Sequence, residues 1–255
     1  LDLKNCLETR LTELVAGCDK LHKAARYALF SGGKRLRPLL LLSTAIDLGA
    51  NFQKALEAAC ALELIHTYSL IHDDLPAMDD DDERRGKPTL HIAFDEATAI
   101  LTGDFLLTRA FELLACSEHL TDQEKIRFIQ LLSKASGSEG LIGGQMMDLF
   151  DYGHTELMHK LKTASLFGCA LALAAELAPQ KPSIDMLQLG YHIGALFQLL
   201  DDLEDSDHPQ GSCIAFKQAL IKHAQIHDLL KKICLPALQE LIKILDEKLQ
   251  AYQTA

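Results

Sequence analysis

With 255 residues, 48% of them hydrophobic and 24% charged, the chain can bury a substantial core, which excludes an intrinsically disordered protein. A formal net charge of −11 argues against binding to nucleic acid or to anionic lipid, but not against a small anionic substrate held by a local basic cluster or a bound metal. Seven cysteines with no C-x-x-C pair read as reduced thiols in a cytoplasmic protein. No apolar stretch is long enough for a bilayer and no signal peptide is visible, while the missing initiator Met points to a trimmed chain.

Helical periodicity dominates from the start. Leu3, Leu7, Leu11, Leu14 and Val15 mark a first amphipathic helix. Ser31-Gly32-Gly33 breaks a helix, and Pro38 suits the first turn of the next. Residues 54–74 read as one helix, stopped by Pro76. Thr121-Asp122-Gln123-Glu124 is a capping box, and Lys162-Thr163 falls in a long helical stretch. Pro182-Ser183 opens a helix running towards Asp205, and Pro236 opens the last one. No strand alternation is convincing and no linker divides residues 1–255. The expected fold is an all-α, single-domain bundle of roughly ten helices.

Two acidic clusters stand out against this background. Seven carboxylates fall between Asp73 and Glu83, directly after an apolar helix. The second cluster is Asp201-Asp202-Leu203-Glu204-Asp205, where Gln198, Asp201, Asp202 and Asp205 share one face of an otherwise apolar helix. Unpaired carboxylates on an inward face are costly. A regular helix would send Asp79 away from Asp73 and Asp74, so Leu75-Pro76-Ala77-Met78 must loop out to return it. Solvated surface is an adequate reading for Asp80 to Glu83. It is a poor one for two clusters that each begin with an aspartate pair at the end of an apolar helix. Oxygen-only ligands select a hard ion such as Mg²⁺, which binds a few carboxylates together with substrate phosphates. The positive counterpart is Gly32-Gly33-Lys34-Arg35-Leu36-Arg37, cations at a helix start after two glycines, with Arg84-Arg85 and Lys162-Thr163 as further phosphate-sized partners.

These motifs, with Gly143-Gly144-Gln145 and Phe197-Gln198, occur in the order found in trans-prenyl (polyprenyl) diphosphate synthases, and the resemblance extends from about Leu21 to Asp205. Four residues lie between the aspartate pair and Asp79, which resembles the bacterial farnesyl and the bacterial and plant geranylgeranyl branches. The resemblance implies the all-α isoprenoid synthase fold around a central cavity, a homodimer, and head-to-tail condensation of isopentenyl diphosphate with dimethylallyl or geranyl diphosphate. It implies that Asp73, Asp74, Asp79, Asp201, Asp202 and Asp205 hold about three Mg²⁺ ions. Arg84 and Lys162 would assist on the allylic diphosphate, while Gly33, Lys34, Arg37, His66 and Arg85 would hold isopentenyl diphosphate. Lys162, Thr163 and Gln198 would be the catalytic residues, Lys162 on the diphosphate and Thr163 and Gln198 with oxygens near the developing cation. Tyr68 and Ser69 border the product channel. The resemblance gives an aromatic at position 68 to farnesyl enzymes and a non-aromatic to geranylgeranyl ones, so the fifteen-carbon product is expected. No partner nucleic acid and no stable membrane association are expected.

Two departures from the family pattern matter. The usual Lys-Thr-Gly is Lys162-Thr163-Ala164 here, which narrows the backbone approach. The segment Ser206 to Cys213 is short and lacks the lysine-bearing loop and following Lys-x-Thr-Tyr-like element of the family, pointing to missing residues of a mobile lid. The alternatives are a geranylgeranyl diphosphate synthase, or a catalytically impaired partner subunit. A metal-dependent terpene cyclase would have no use for Lys34, Arg37 and Arg85.

Overall fold

A computed structural model describes residues 2–150, 155–205 and 212–253; the side chains of Thr155, Asp205 and Gln253 and the expected lid segment 206–211 lie outside the described residues. The described residues form eleven α-helices of nine residues or more and two shorter ones. They are α1 (Leu3–Leu14), α2 (Lys20–Leu29), α3 (Leu36–Asp47), α4 (Phe52–Asp73), α5 (Leu90–Ala93), α6 (Glu96–Cys116), α7 (Asp122–Ser136), α8 (Leu141–Leu149), α9 (Thr155–His159), α10 (Ser165–Glu176), α11 (Met186–Asp205), α12 (Ser212–Leu230) and α13 (Pro236–Gln253). The all-α architecture expected from periodicity is what the chain adopts. All seven cysteines are free, and burial pushes the Cys169 thiol up to about 12, leaving it inert. No helix among the described residues is long and apolar enough to cross a membrane.

The chain forms two compact units, Leu1–Leu39 with Leu56–Ile129, and Leu40–Ala55 with Gln130–Ala255. In the first unit, Leu7 and Leu11 of α1 are fully buried, as their spacing requires, together with Leu62 and Ile65 of α4 and Leu106 of α6. Asp2 caps α1 by accepting from the Asn5 amide at 3.0 Å, and Asp19 caps α2 through the His22 amide at 3.0 Å. The capping box of α7 is complete: Thr121 N donates to Glu124 Oε2 at 2.7 Å and Glu124 N donates to Thr121 Oγ1 at 3.3 Å.

In the second unit, α11 packs between α10 and α12, with Phe167, Leu171, Ile193 and Leu196 in its core. Helix α13 begins at Pro236 as expected, but its first-turn amides are satisfied from far away in sequence. Asp47 accepts from Ala237 N at 3.0 Å and from Leu238 N at 2.9 Å.

Three local expectations need correction. Helix α11 starts at Met186, not at Pro182-Ser183, because Asp185 supplies the cap by accepting from the Gln188 amide at 3.1 Å. Residues Lys160–Ala164, read as ordinary helix, form a π-helical turn between α9 and α10. A two-stranded antiparallel hairpin, β1 (Glu83–Arg84) and β2 (Lys87–Pro88), breaks the helical pattern. Its two-residue turn, Arg85-Gly86, has φ of 56° and 74°, the positive pair that matches strand twist. Strands of two residues are too short to show alternation.

Candidate active site

The first unit carries the Asp73 cluster. Helix α4 ends at Asp73, and the chain then folds back on itself, with Met78 N donating to Leu75 O at 2.8 Å and Asp79 N donating to Asp73 O at 2.8 Å. The loop expected from the spacing is therefore present, and it joins Asp79 to Asp73 through the main chain. Asp73 and Asp74 are buried, at 9% and 4% exposure, whereas Asp79 to Glu83 are exposed. Arg84 clamps Asp74, with Nε and Nη2 each 2.6 Å from Oδ1. Burial raises the Asp74 carboxyl above its ordinary value, and the hydrogen bond and charge of Arg84 oppose that rise.

The hairpin aims the two arginines apart. Arg84 reaches Asp74, while Arg85 Nη1 donates to Gly32 O at 2.6 Å. Tyr27 steadies the hairpin by donating to Pro88 O at 2.7 Å. Gly33 has φ of 116°, and a Cβ there would sit 2.4 Å from Arg85 Nη1, so glycine serves both the backbone and the guanidinium above it. Lys34 is exposed. Arg35 is not: it is buried, donates to Glu63 Oε1 at 2.8 Å and to Leu29 O, and so is a structural cation. Arg37 Nη1 lies 3.4 Å from Nε2 of the half-buried His66. Burial first, then the charges of Arg37, Arg85, Arg35 and Arg84, hold His66 well below the ordinary imidazole value, so it is neutral at pH 7.

Tyr68 lies on α4 before this cluster, 5% exposed, edge-on to His72 with ring centroids 5.8 Å apart. Ser69 is buried and spends its hydroxyl on the His66 carbonyl at 2.9 Å. His72 was not singled out from sequence. It is 3.1 Å from Ile100 O, and a Cβ on Gly103 would meet its Nε2 at 2.1 Å. Nothing in the spacing of α6 signals that fit, which depends on the packing of two helices.

The second unit carries the other cluster. Thr163 Oγ1 donates to Gln198 Oε1 at 2.8 Å, and Gln198 Nε2 donates to Asp202 Oδ1 at 2.8 Å, forming one polar chain from the π-turn to α11. Asp202 is buried, and its Oδ2 has no hydrogen-bond donor; His159 Nδ1 lies 4.0 Å from it. Lys162 Nζ is 2.5 Å from Asp148 Oδ2. Lys248 on α13 pairs with Glu204 at 2.8 Å and lies 3.6 Å from Asp201. Asp201 and Asp202, expected on one face, thus engage different partners. Asp148, His159 and Lys248 were missed because their roles come from tertiary neighbours.

The glycines explain the π-turn. A Cβ on Gly144 would sit 2.2 Å from Lys162 N, so only glycine lets α8 lie against the backbone carrying Lys162 and Thr163. Ala164 is buried against Gly194, whose own Cβ would lie 2.7 Å from Ala164 Cα and 3.0 Å from its methyl, so glycine at 194 makes room for that segment. A cavity of about 500 Å³ lies in this unit, lined by His159, Lys160, Tyr191, His192, Gln198 and Lys222 among others.

The Polyprenyl synthetase family model matches residues 18–213. A farnesyl diphosphate synthase of Geobacillus stearothermophilus is 44% identical over 215 residues, covering 79% of this chain and 72% of its own. Among solved structures, an FPP/GFPP synthase from Zymomonas mobilis superposes with a TM-score of 0.87 at 35% identity, covering 97% of this chain and 99% of that one. A geranyltranstransferase from Thermotoga maritima gives 0.84 at 31% identity, covering 99% and 98%. The fold is therefore the isoprenoid synthase fold, and the family match runs through every motif from the glycine-led cations to the second acidic cluster. The chain belongs to the polyprenyl synthetase family.

Proposed function

We propose that the chain is a short-chain trans-prenyltransferase of isoprenoid biosynthesis, condensing isopentenyl diphosphate with dimethylallyl or geranyl diphosphate to give farnesyl diphosphate. The observation that carries this reading is the folded-back first cluster. Asp79 is returned to Asp73 by a main-chain hydrogen bond, beside the Arg84–Asp74 pair, in a chain 44% identical over 215 residues to a farnesyl diphosphate synthase.

The donor chemistry fits Mg²⁺. Every candidate ligand is a carboxylate oxygen, Asp73 and Asp74 are buried, and Asp202 Oδ2 is a buried acceptor without a donor. In this reading Asp73, Asp74 and Asp79 in the first unit and Asp201, Asp202 and Asp205 in the second hold about three ions. Mg²⁺, when bound, neutralises the charge that develops on the leaving diphosphate.

The chain's own residues do the rest. Arg84 and Lys162 hold the allylic diphosphate by charge-assisted hydrogen bonds, each exchanging its present carboxylate partner in part for phosphate oxygen. Gly33, Lys34, Arg37, His66 and Arg85 hold isopentenyl diphosphate; the neutral His66 contributes a hydrogen bond instead of a charge. The allylic C–O bond breaks, and its electron pair leaves on the diphosphate. The double bond of isopentenyl diphosphate supplies the pair for the new C–C bond. A proton from the adjacent carbon then passes to the released diphosphate, restoring an alkene. Thr163 spends its proton on Gln198, so the hydroxyl lone pairs are left for the cationic carbon. Apolar walls keep water from quenching that cation. Tyr68 stops the growing tail.

Both units belong to one catalytic domain of residues 1–255 in this reading, since the boundaries between them fall inside α3, α4 and α7. The protein works in the cytoplasm as a homodimer, for which exposed Ile92, Ile100 and Leu101 on α5 and α6 offer an apolar surface. Incubation with isopentenyl and geranyl diphosphates, with and without Mg²⁺, followed by separation of products by chain length, tests the proposal. Farnesyl diphosphate formed only with Mg²⁺ is expected. Mainly twenty-carbon product would move the chain to geranylgeranyl synthesis. No turnover with either allylic substrate would make it an impaired partner subunit.

A further inference from the structure

We propose that His223, His227 and Asp246 form a transition-metal site that ties α12 to α13, separate from the carboxylate clusters and selective for a borderline ion such as Ni²⁺ or Zn²⁺. The two histidines are four residues apart on α12, so their rings rise from one face, with centroids 4.3 Å apart. Asp246 comes from α13. His223 Nε2 lies 3.1 Å and His227 Nε2 lies 3.2 Å from the same atom, Asp246 Oδ1. One ligand atom from each of the three residues falls within 4.8 Å of the others.

These lengths are close to those of a coordination sphere. Ligands about 2.0–2.2 Å from a tetrahedral ion are about 3.3–3.6 Å from one another. Two of the three edges are thus already near coordination length, and a small rotation of either imidazole closes the third. The side chains are 32%, 39% and 22% exposed for His223, His227 and Asp246, open enough to admit an ion and to leave a position for water. Two imidazoles with one carboxylate favour nickel, copper or zinc, whereas the oxygen-only clusters favour Mg²⁺, so the two kinds of site are chemically distinct. An ion bound only by the folded arrangement stabilises it, here by cross-linking two helices.

Titration of the whole protein with Ni²⁺ in saturating Mg²⁺, read by calorimetry and by thermal melting, tests the site. Wild-type protein is expected to bind Ni²⁺ and to show a higher Tm with it. The double variant His223→Ala, His227→Ala is expected to bind at least about tenfold more weakly and to lose the Tm shift. Asp246→Asn, which keeps the side-chain shape and removes only the charge, is expected to weaken binding in the same direction, with prenyl transfer in Mg²⁺ unchanged. Exposed cysteines also bind soft metals, so the difference between wild type and these variants is the measure. If wild type shows no Ni²⁺-dependent Tm rise, or if Asp246→Asn and the double variant both bind as wild type does, the inference is overturned.

Discussion

Tyr68 is buried about 7.5 Å along α4 before Asp73, with a hydroxyl that has no hydrogen-bond partner. Burial first, then the Asp73 charge, pushes the phenol up to about 12, so it remains protonated. An unsatisfied buried hydroxyl costs about 1–3 kcal/mol, and its removal with the ring kept should not destabilise the fold. Tyr68→Phe is therefore expected to match or exceed wild-type stability in denaturant and to keep the fifteen-carbon product. Tyr68→Ala is expected to cost about 3–5 kcal/mol and to shift product towards twenty carbons. An unchanged product distribution in Tyr68→Ala would remove Tyr68 as the floor. His66 sets a second expectation. Its folded value lies below the ordinary 6.5, so the unfolded chain binds the extra proton first as pH falls. Stability is present in full above 6.5 and is lost as pH drops through that value towards the folded one. Denaturant midpoints measured from about pH 7 to about pH 5 should fall more steeply for wild type than for His66→Gln. The positions of Tyr68 and His66 on α4 were readable from helical spacing. The unpartnered hydroxyl and the ring of arginines were not, because they depend on neighbours distant in sequence.

At the level of elements, the π-turn Lys160–Ala164 is held in place by the missing side chain of Gly144. Gly144→Ala sets a methyl 2.2 Å from the Lys162 amide nitrogen, which is backbone and cannot swing away. The expected result is a loss of about 1–3 kcal/mol and a lower kcat, because Thr163 and Lys162 move together. Wild-type kinetics in Gly144→Ala would show that the turn does not position them. The start of α13 offers an independent case outside the site. Asp47 caps two of its amides from 190 residues away in sequence, so Asp47→Ala should cost about 1 kcal/mol in a thermal or denaturant melt and leave activity intact. The capping box at Thr121 was legible because it is local. The Asp47 cap was illegible because Pro236 marks a helix start without saying which side chain will satisfy it.

For the whole molecule, each unit contributes carboxylates with cations of its own: Arg84 on the buried Asp74 in the first, Lys248 beside the half-buried Asp201 in the second. Asp73→Ala and Asp201→Ala are each expected to lose at least about a hundredfold in turnover while the far-ultraviolet dichroism stays helical, and chelation of Mg²⁺ should silence wild type. Near-wild-type activity in either variant at saturating Mg²⁺ would sink the assignment of that cluster. Lys34→Ala and Arg37→Ala should chiefly raise KM for isopentenyl diphosphate, whereas Lys162→Ala should weaken catalysis with the allylic substrate; each contact is worth about 1.5–3 kcal/mol. Equal effects on both substrates would contradict two separate diphosphate subsites. The sequence by itself determined the helical class, the helix starts marked at Thr121 and Pro236, and the two acidic clusters, since periodicity, caps and charge runs are local and need no knowledge of the rest of the chain. It also required Asp79 to return to Asp73, because the helical repeat otherwise carries the two apart. Only the tertiary structure decided that Arg35 is buried on Glu63, that an Arg85-Gly86 hairpin separates Arg84 from Arg85, and that Asp201 and Asp202 answer to different partners. Those outcomes depend on which side chains packing brings within a few ångströms, and a one-dimensional pattern carries no such distance.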